Sequence, residues 1–493
     1  MPPSMSVVAA AYTLDAPTDL QEVYLRSNTS ITEECDGLLP IVEGALPREL
    51  RGTLIRNGPG RLEVHGQRYN HLFDGDGHLH RFGFTDRGLV HRNRYVRTRE
   101  FLEEEAARKM LFRSFGTNIP GGLINNFLRT RFKNAANTSV LWHAGRLYAL
   151  WEGGLPHRID PLTLDTLARD DLGGMLRGDT LADRLLRGGE LPYSAHPRLD
   201  PTTGDLYNFG VSGGPTPTLH LYRQAPSGAC LQHERTALPA MGFIHDFTLT
   251  SRYRVFFFTP ATFDIRRSLL GLAAPAETLQ ANAESTQILL YPRRGTQARI
   301  IKARPCFAYH FANAFEDGEK VIVDAARMDR VPTADTITRM LDGLPVDYPP
   351  PILTRYTIDL RTGHTDERRL TDHPGDLPTI NPARSAQPHR YVFSIARPVD
   401  RKQPYSTGLL KVDTTGPGST FRDFGQNLTG EPVFVPRPGA TAEDDGWLLS
   451  MCYDAANHTG ELLILDAADL HTVARARMPI PTPLGFHGTW IPA

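Results

Sequence analysis

Only four cysteines occur in 493 residues, Cys35, Cys230, Cys306 and Cys452, and none stands in a C-x-x-C pair. Thiols this sparse and distant argue against a disulfide framework and a thiolate metal site, and point to a reducing compartment. Charge of one sign is missing too. Lys and Arg number 54 against 55 Asp and Glu, a net charge of −1, so there is no basic footprint for nucleic acid. No run approaches the ~18 apolar residues of a spanning helix, and "MPPSMSVVAAAYTLDAP" lacks the basic region of a secretory signal. The expectation is an intracellular protein without a transmembrane anchor.

Helical periodicity is scarce and confined to stretches around Leu102 to Leu111 and Thr180 to Leu186. Without helices alternating with strands, Rossmann and TIM layouts are excluded. "GVSGG", Gly210 to Gly214, fits a hydrolase pattern, but Ser212 is followed by "GGPTPT", which cannot open the helix that a nucleophile elbow needs. "FDGDGHLH", Phe73 to His80, starts like a calcium loop yet lacks the acids at positions five and twelve. It reads as a tight turn between strands.

What the chain does have is strand after strand. "RLYALWEG", "GDLYNFGV", "YRVFFFT", "QILLYPR", "KVIVDAA", "RYTIDL", "RYVFSIA", "GLLKVD", "GWLLSMCYD" and "ELLILDA" are bounded by Gly, Pro, Asp and Asn, and 43 Gly with 39 Pro supply many turns. Residues 1–493 therefore read as one large all-β domain, a sandwich or a propeller, after an N-terminal extension over about 1–42. At roughly 40 to 70 residues per blade, seven blades would use the chain.

Four histidines share a setting of apolar or small neighbours and turn signals: His196 in "YSAHPR", His245 in "GFIHDF", His310 in "CFAYHFANAFE" and His487 in the closing "PLGFHGTWIPA". Inner strand ends of a propeller converge on its axis, so such residues can meet. Four imidazoles without a thiolate suit Fe(II), Zn(II), Cu(II) or Ni(II). Ligating imidazoles also need an acceptor for the other ring nitrogen. Glu152 in "ALWEGG", Asp376 in "GDLPTINP" and Glu431 in "TGEPVFVP" are carboxylates in apolar company.

The ordered strings "RNGPG", "FDGDG", "LWEGG", "SAHPR", "FIHDF", "HFANAFE", "GEPVFVPRPG", "EDDGWLL" and "FHGTW", from about Glu43 to Trp490, resemble the carotenoid cleavage oxygenase family, and within it the cyanobacterial apocarotenoid-cleaving branch. The resemblance implies a seven-bladed β-propeller capped by a dome of loops and short helices. It implies Fe(II) held by His196, His245, His310 and His487, with Glu152, Asp376 and Glu431 behind His245, His310 and His487 respectively. Where this chain has Asp376 the family usually has Glu, so a bridging water is expected there. Thr138 in "NAANTS" matches a Thr whose methyl partly blocks one iron position. The implied reaction splits the central 15,15' double bond of an apocarotenoid with O₂, giving retinal-type aldehydes.

Leu111, Phe115, Ile119, Leu123, Ile124, Phe127 and Leu128 lie among Arg113, Arg129, Arg131 and Lys133. From residues alone the segment reads as a helical lid. The resemblance favours an entrance patch at about 111–128 that dips into a membrane surface, hence a cytoplasmic, peripherally bound protein acting on an apolar small molecule. A rival branch cleaves hydroxystilbenes and holds the phenol with a Tyr and a Lys. Lys133 lines up with that Lys, but Phe101 lines up with the Tyr and lacks its hydroxyl. A non-catalytic propeller that binds partners is the third reading.

Overall fold

Gly, Pro and Asp between the apolar runs close the chain into antiparallel hairpins, and each of the ten runs carries a strand. The computed structural model describes residues 19–493 apart from 130, 182, 185–187, 214–215, 240–241, 259–260 and 282–284. Among these residues the main strands form seven antiparallel sheets of four or five strands. Two of the sheets share the long strand Thr365–Thr379 and so run on as one ribbon. These sheets are the blades of the expected seven-bladed propeller.

The ring is closed from both ends of the chain. Gly488–Pro492 pairs with Gly52–Arg61 in the first blade, while Ile41–Gly44 pairs with Thr472–Arg477 in the last. Asp36–Leu38 edges the first blade through Gly88–Tyr95. Residues 36–38, expected within an N-terminal extension over about 1–42, and 41–44, which straddle its expected end, are thus strands that cover otherwise open sheet edges.

Each blade is packed between two neighbours, so its central strands bury both faces and read as continuous apolar runs. All nine residues of Gly446–Asp454 are buried. Between blades, Val255, Phe257, Ile288, Leu290, Val323 and Tyr356 form one such core.

The helix expected over Leu102–Leu111 lies at Arg99–Ala107 instead. Thr98 caps its start, and Arg108 ends it in a left-handed conformation. The backbone N–H groups of Leu111 and Phe112 then turn back to Glu104 Oε1 at 3.0 and 3.3 Å, a bond that a continuing helix could not make. The stretch Thr180–Leu186 lies partly outside the described residues. The helix Ala334–Leu341 and the short turn Leu72–Asp74 contribute to the cap above the propeller axis.

Candidate metal centre

The four histidines enter the axis from inner strands or the loops that precede them. His196 precedes Arg198–Leu199, His245 precedes Thr248–Leu249, and His487 precedes Gly488–Pro492. His310 sits inside Phe307–Asp317, between Ala308 and Phe311, where the register slips. Such a bulge re-aims a side chain that regular pleating would send elsewhere. Asp376 and Glu431 also lie at register shifts, in Thr365–Thr379 and Leu428–Pro436. Next to Asp376, Leu377 adopts a left-handed backbone with φ of 52°, a conformation that costs energy for a residue with a Cβ. The glycine beside His487 is a packing requirement: a Cβ on Gly488 would stand 2.5 Å from Arg56 Cδ.

One ring nitrogen from each of His196, His245, His310 and His487 lies within 4.8 Å of the other three. His196 Nε2 and His487 Nε2 are 3.1 Å apart, and His310 Nε2 is buried with no hydrogen-bond partner. The outer nitrogens of two rings are taken. His310 Nδ1 lies 2.8 Å from Asp376 Oδ1, and His487 Nδ1 lies 2.7 Å from Glu431 Oε1. Nitrogens facing one point, with carboxylates behind, fit a divalent metal of the Fe(II) or Zn(II) kind.

Two details differ from the sequence-based expectation. Asp376 reaches His310 directly, without the bridging water, because the bulge and the left-handed Leu377 carry its backbone inward. Glu152 Oε1 lies between two rings, 3.2 Å from His196 Nδ1 and 3.6 Å from His245 Nδ1. It is therefore nearer His196 than its expected partner His245.

Burial sets the charge of these groups. Desolvation, followed by the charges of the neighbouring imidazoles, pushes His196 and His245 well below the usual histidine range, which keeps them neutral donors. His310 is also disfavoured by burial, but the Asp376 carboxylate more than offsets this and raises it. Burial lifts Glu152 well above the carboxylate range, with Asp246 adding to the effect. Glu431 is lowered despite its burial, because His487 and Arg56 hold it charged.

Arg56 was not singled out from sequence, although it opens the "RNGPG" string. Fully buried, it pairs with Glu431 and donates from Nη2 to the carbonyl of Phe486 at 2.9 Å. Glu431 Oε2 also accepts the Gly488 N–H at 2.9 Å. One carboxylate thus joins the first blade, the last strand and His487. The ion pair of Arg198 with Asp246 was likewise missed; Asp246 accepts the Phe311 N–H at 2.9 Å and so ties the His245 loop to the His310 strand.

A cavity of about 270 Å³ opens onto His245, His310 and His487. Its walls are mainly aromatic and aliphatic, among them Phe73, Phe115, Trp151, Phe243 and Phe486. Thr138 lines it as well, its hydroxyl donating to Asn137 at 3.0 Å. A second cavity, of about 300 Å³, reaches His196, His310 and His487 past Arg198 and Asp246.

The expected entrance residues divide into groups. Phe115 lines the cavity, Ile119 is buried, and Leu111 is half-buried. Leu123, Ile124, Phe127 and Leu128 are exposed, Ile124 to 91%. Leu270 and Leu272 are exposed too, and the Leu128 N–H donates to Leu269 O at 2.8 Å. Among the described residues no helix is long and apolar enough to cross a membrane.

Phe101 and Lys133 are not cavity residues. The Phe101 ring stacks on Tyr95 under the Arg61 guanidinium, 4.3 Å from its centroid. Lys133 is buried, with Nζ 2.6 Å from both Asp76 and Glu104 and 2.7 Å from the Tyr69 hydroxyl. A buried ammonium persists only when paired in this way, and its charge is committed to two carboxylates.

The family model for retinal pigment epithelial membrane protein matches residues 28–492. The apocarotenoid-15,15'-oxygenase of Synechocystis sp. is 37% identical, covering 99% of each chain. The isoeugenol monooxygenase of Pseudomonas nitroreducens is 30% identical over 92% of this chain and 94% of its own. The crystal structure of cobalt-substituted Synechocystis apocarotenoid oxygenase superposes with a TM-score of 0.88 at 35% identity, over 96% of this chain and 99% of that one.

Proposed function

The chain belongs to the retinal pigment epithelial membrane protein family of carotenoid oxygenases, and from that premise we propose that it cleaves the central 15,15' double bond of an apocarotenoid with O₂. The C=C and O–O bonds break and two C=O bonds form, one oxygen atom going to each retinal-type aldehyde. The observation that carries this reading is the convergence of four imidazoles on an apolar, aromatic cavity. Fe(II), held by His196, His245, His310 and His487, would supply the O₂ chemistry.

The chain's own residues supply geometry. Asp376 and Glu431 fix the tautomer and direction of His310 and His487, and Glu152 stands behind His196 and His245. Thr138, with its hydroxyl on Asn137, leaves a methyl to restrict one side of the centre. Phe73, Phe115, Phe243 and Phe486 offer a dry channel that holds a polyene by shape and dispersion.

A phenolic alkene is the rival substrate, in keeping with the name of the isoeugenol relative. It needs its hydroxyl satisfied, and Lys133 is already committed to two carboxylates. We also propose that the exposed group Leu123, Ile124, Phe127 and Leu128 rests on a membrane, from which the apolar substrate enters.

Iron content and turnover test the reading together. Protein carrying one Fe per chain should convert β-apo-8'-carotenal to retinal with O₂ uptake. Protein that carries only zinc, and gains no turnover on iron reconstitution, would sink the assignment.

A further inference from the structure

One cation stands on the wall of the apolar cavity. Arg397 is 93% buried, by its 7% exposure, and lines the space that opens onto His245, His310 and His487. Its backbone is fixed on both sides: the N–H donates to Pro374 O at 3.0 Å, and the carbonyl accepts from His373 Nδ1 at 3.1 Å. The strand Tyr391–Ala396 leads directly into it, and Ile395 of that strand is opposite Asp376, the acceptor of His310. At about 3.3 Å per residue, Arg397 lies roughly 7 Å further along the backbone.

A guanidinium carries five donors and stays charged in any protein. Nη1 of Arg397 donates to the carbonyls of Lys402 and Gln403, and no carboxylate pairs with this side chain among the described residues. Burial accordingly pulls its pKa below the usual value. Other buried arginines have a carboxylate partner, as Arg254 has Glu234, or neutral acceptors on every side-chain nitrogen. Arg56 has Glu431, and Arg113, which also lacks an acid, spreads its donors over Asn118 and the carbonyls of Arg129, Ser268 and Ala273. A buried charge without a counter-ion costs several kcal/mol unless something else supplies one. The carboxylates on the same wall face the histidines, Asp376 at His310 and Glu152 at His196 and His245, which leaves the countercharge of Arg397 to a ligand atom.

Building on the apocarotenoid reading, we propose that Arg397, with Tyr348 beside it on the same wall, is a subsite for the oxidised end of the substrate. An anionic carboxylate terminus supplies the missing countercharge and is held best. An aldehyde oxygen accepts from the same donors without bringing a charge, and a terminus without a free oxygen acceptor of this kind leaves the cation unpaired. The apolar walls set the length of the polyene and Arg397 sets its direction, so that the same double bond is presented to the histidines at each turnover.

The test uses β-apo-8'-carotenoic acid, its aldehyde and its methyl ester. Binding is followed by the polyene absorption shift in metal-free protein, and kcat/KM in iron-loaded protein. Wild type should bind the acid at least tenfold more tightly than the ester. Arg397→Met should erase that preference while ester binding changes less than threefold, Arg397→Lys should restore most of it, and Tyr348→Phe, which leaves the Lys402–Gln403 loop untouched, should weaken acid binding two- to fivefold. Equal wild-type affinity for acid and ester, or an acid preference that survives in Arg397→Met, or acid binding unchanged in Tyr348→Phe, would overturn the subsite. The underlying reading fails differently: acid binding with the expected preference but no cleavage of any of the three would keep the subsite and remove the apocarotenoid reaction.

Discussion

Nδ1 of His310 lies 2.8 Å from Oδ1 of Asp376, and the same oxygen accepts the Leu377 N–H at 2.8 Å. The carboxylate is therefore held by backbone as well as by the imidazole, in a pocket shaped for the shorter acid. Asp376→Glu would push an extra methylene into a contact that is already closed. It should lower iron affinity or kcat up to tenfold, and Asp376→Asn 10- to 100-fold, the usual scale for the partner of a metal-binding histidine. Iron titration and steady-state turnover of both variants check this; an Asp376→Glu protein with higher iron affinity would show that the site tolerates the longer acid.

Glu431 has a double role, because it faces both His487 and Arg56. Glu431→Gln should cost 10- to 100-fold in iron affinity or rate and also destabilise the fold by about 3 kcal/mol, since it leaves the buried Arg56 without its charge partner. Glu152 pairs with no cation among the described residues, so Glu152→Gln should affect iron and rate with little loss of stability. Urea unfolding of the metal-free variants separates the two. Equal stability of both would mean that Arg56 finds another partner.

The strands and the four histidines were legible in the sequence because local rules govern them. Turn residues punctuate apolar runs, and each histidine stands among small or apolar residues, three of them just before a strand and His310 at a bulge within one. Arg56 was not, since its partner Glu431 is 375 residues away and meets it only when the last strand closes onto the first blade. Lys133 misled for the related reason that pairing cannot be read from spacing: Asp76 and Glu104 reach it through the fold. Phe115 and Phe127 look alike in sequence, yet one lines the cavity and the other is half exposed. The Phe115 ring stands against Phe73, Phe243 and Phe263 from other parts of the chain.

Membrane contact is therefore tested away from the cavity. Each large apolar side chain contributes roughly 1.5 to 3 kcal/mol when fully buried, and shallow insertion realises part of that. Ile124→Asp with Phe127→Asp should release the protein from anionic liposomes at unchanged iron content. Liposome flotation that is the same for wild type and the double variant would leave the exposed group as a lid.

Acid should weaken the first blade. His78, His80 and His91 form a buried relay, with 3.1 Å between the ring nitrogens of each successive pair. Burial lowers His91 to about 4, slightly countered by Asp36. The unfolded chain binds its proton near pH 6.5, so between pH 6.5 and 4 the unfolded state holds more protons and stability falls as pH falls. His91→Gln cannot titrate, and its unfolding free energy should lose about 1 kcal/mol less than wild type between pH 6 and 5. Parallel pH dependence in the two proteins would place the acid sensitivity elsewhere.

The central claim is the substrate, and one comparison tests it most directly: kcat/KM for β-apo-8'-carotenal and for resveratrol, measured side by side in detergent micelles with iron-loaded protein and retinal identified by HPLC. With Lys133 locked between Asp76 and Glu104, and Phe101 packed against Tyr95 and Arg61, neither can serve a phenol. The account predicts retinal from the apocarotenal and a value at least tenfold lower for resveratrol, a difference of about 1.4 kcal/mol in transition-state binding. A resveratrol value equal to or above that for the apocarotenal would contradict it.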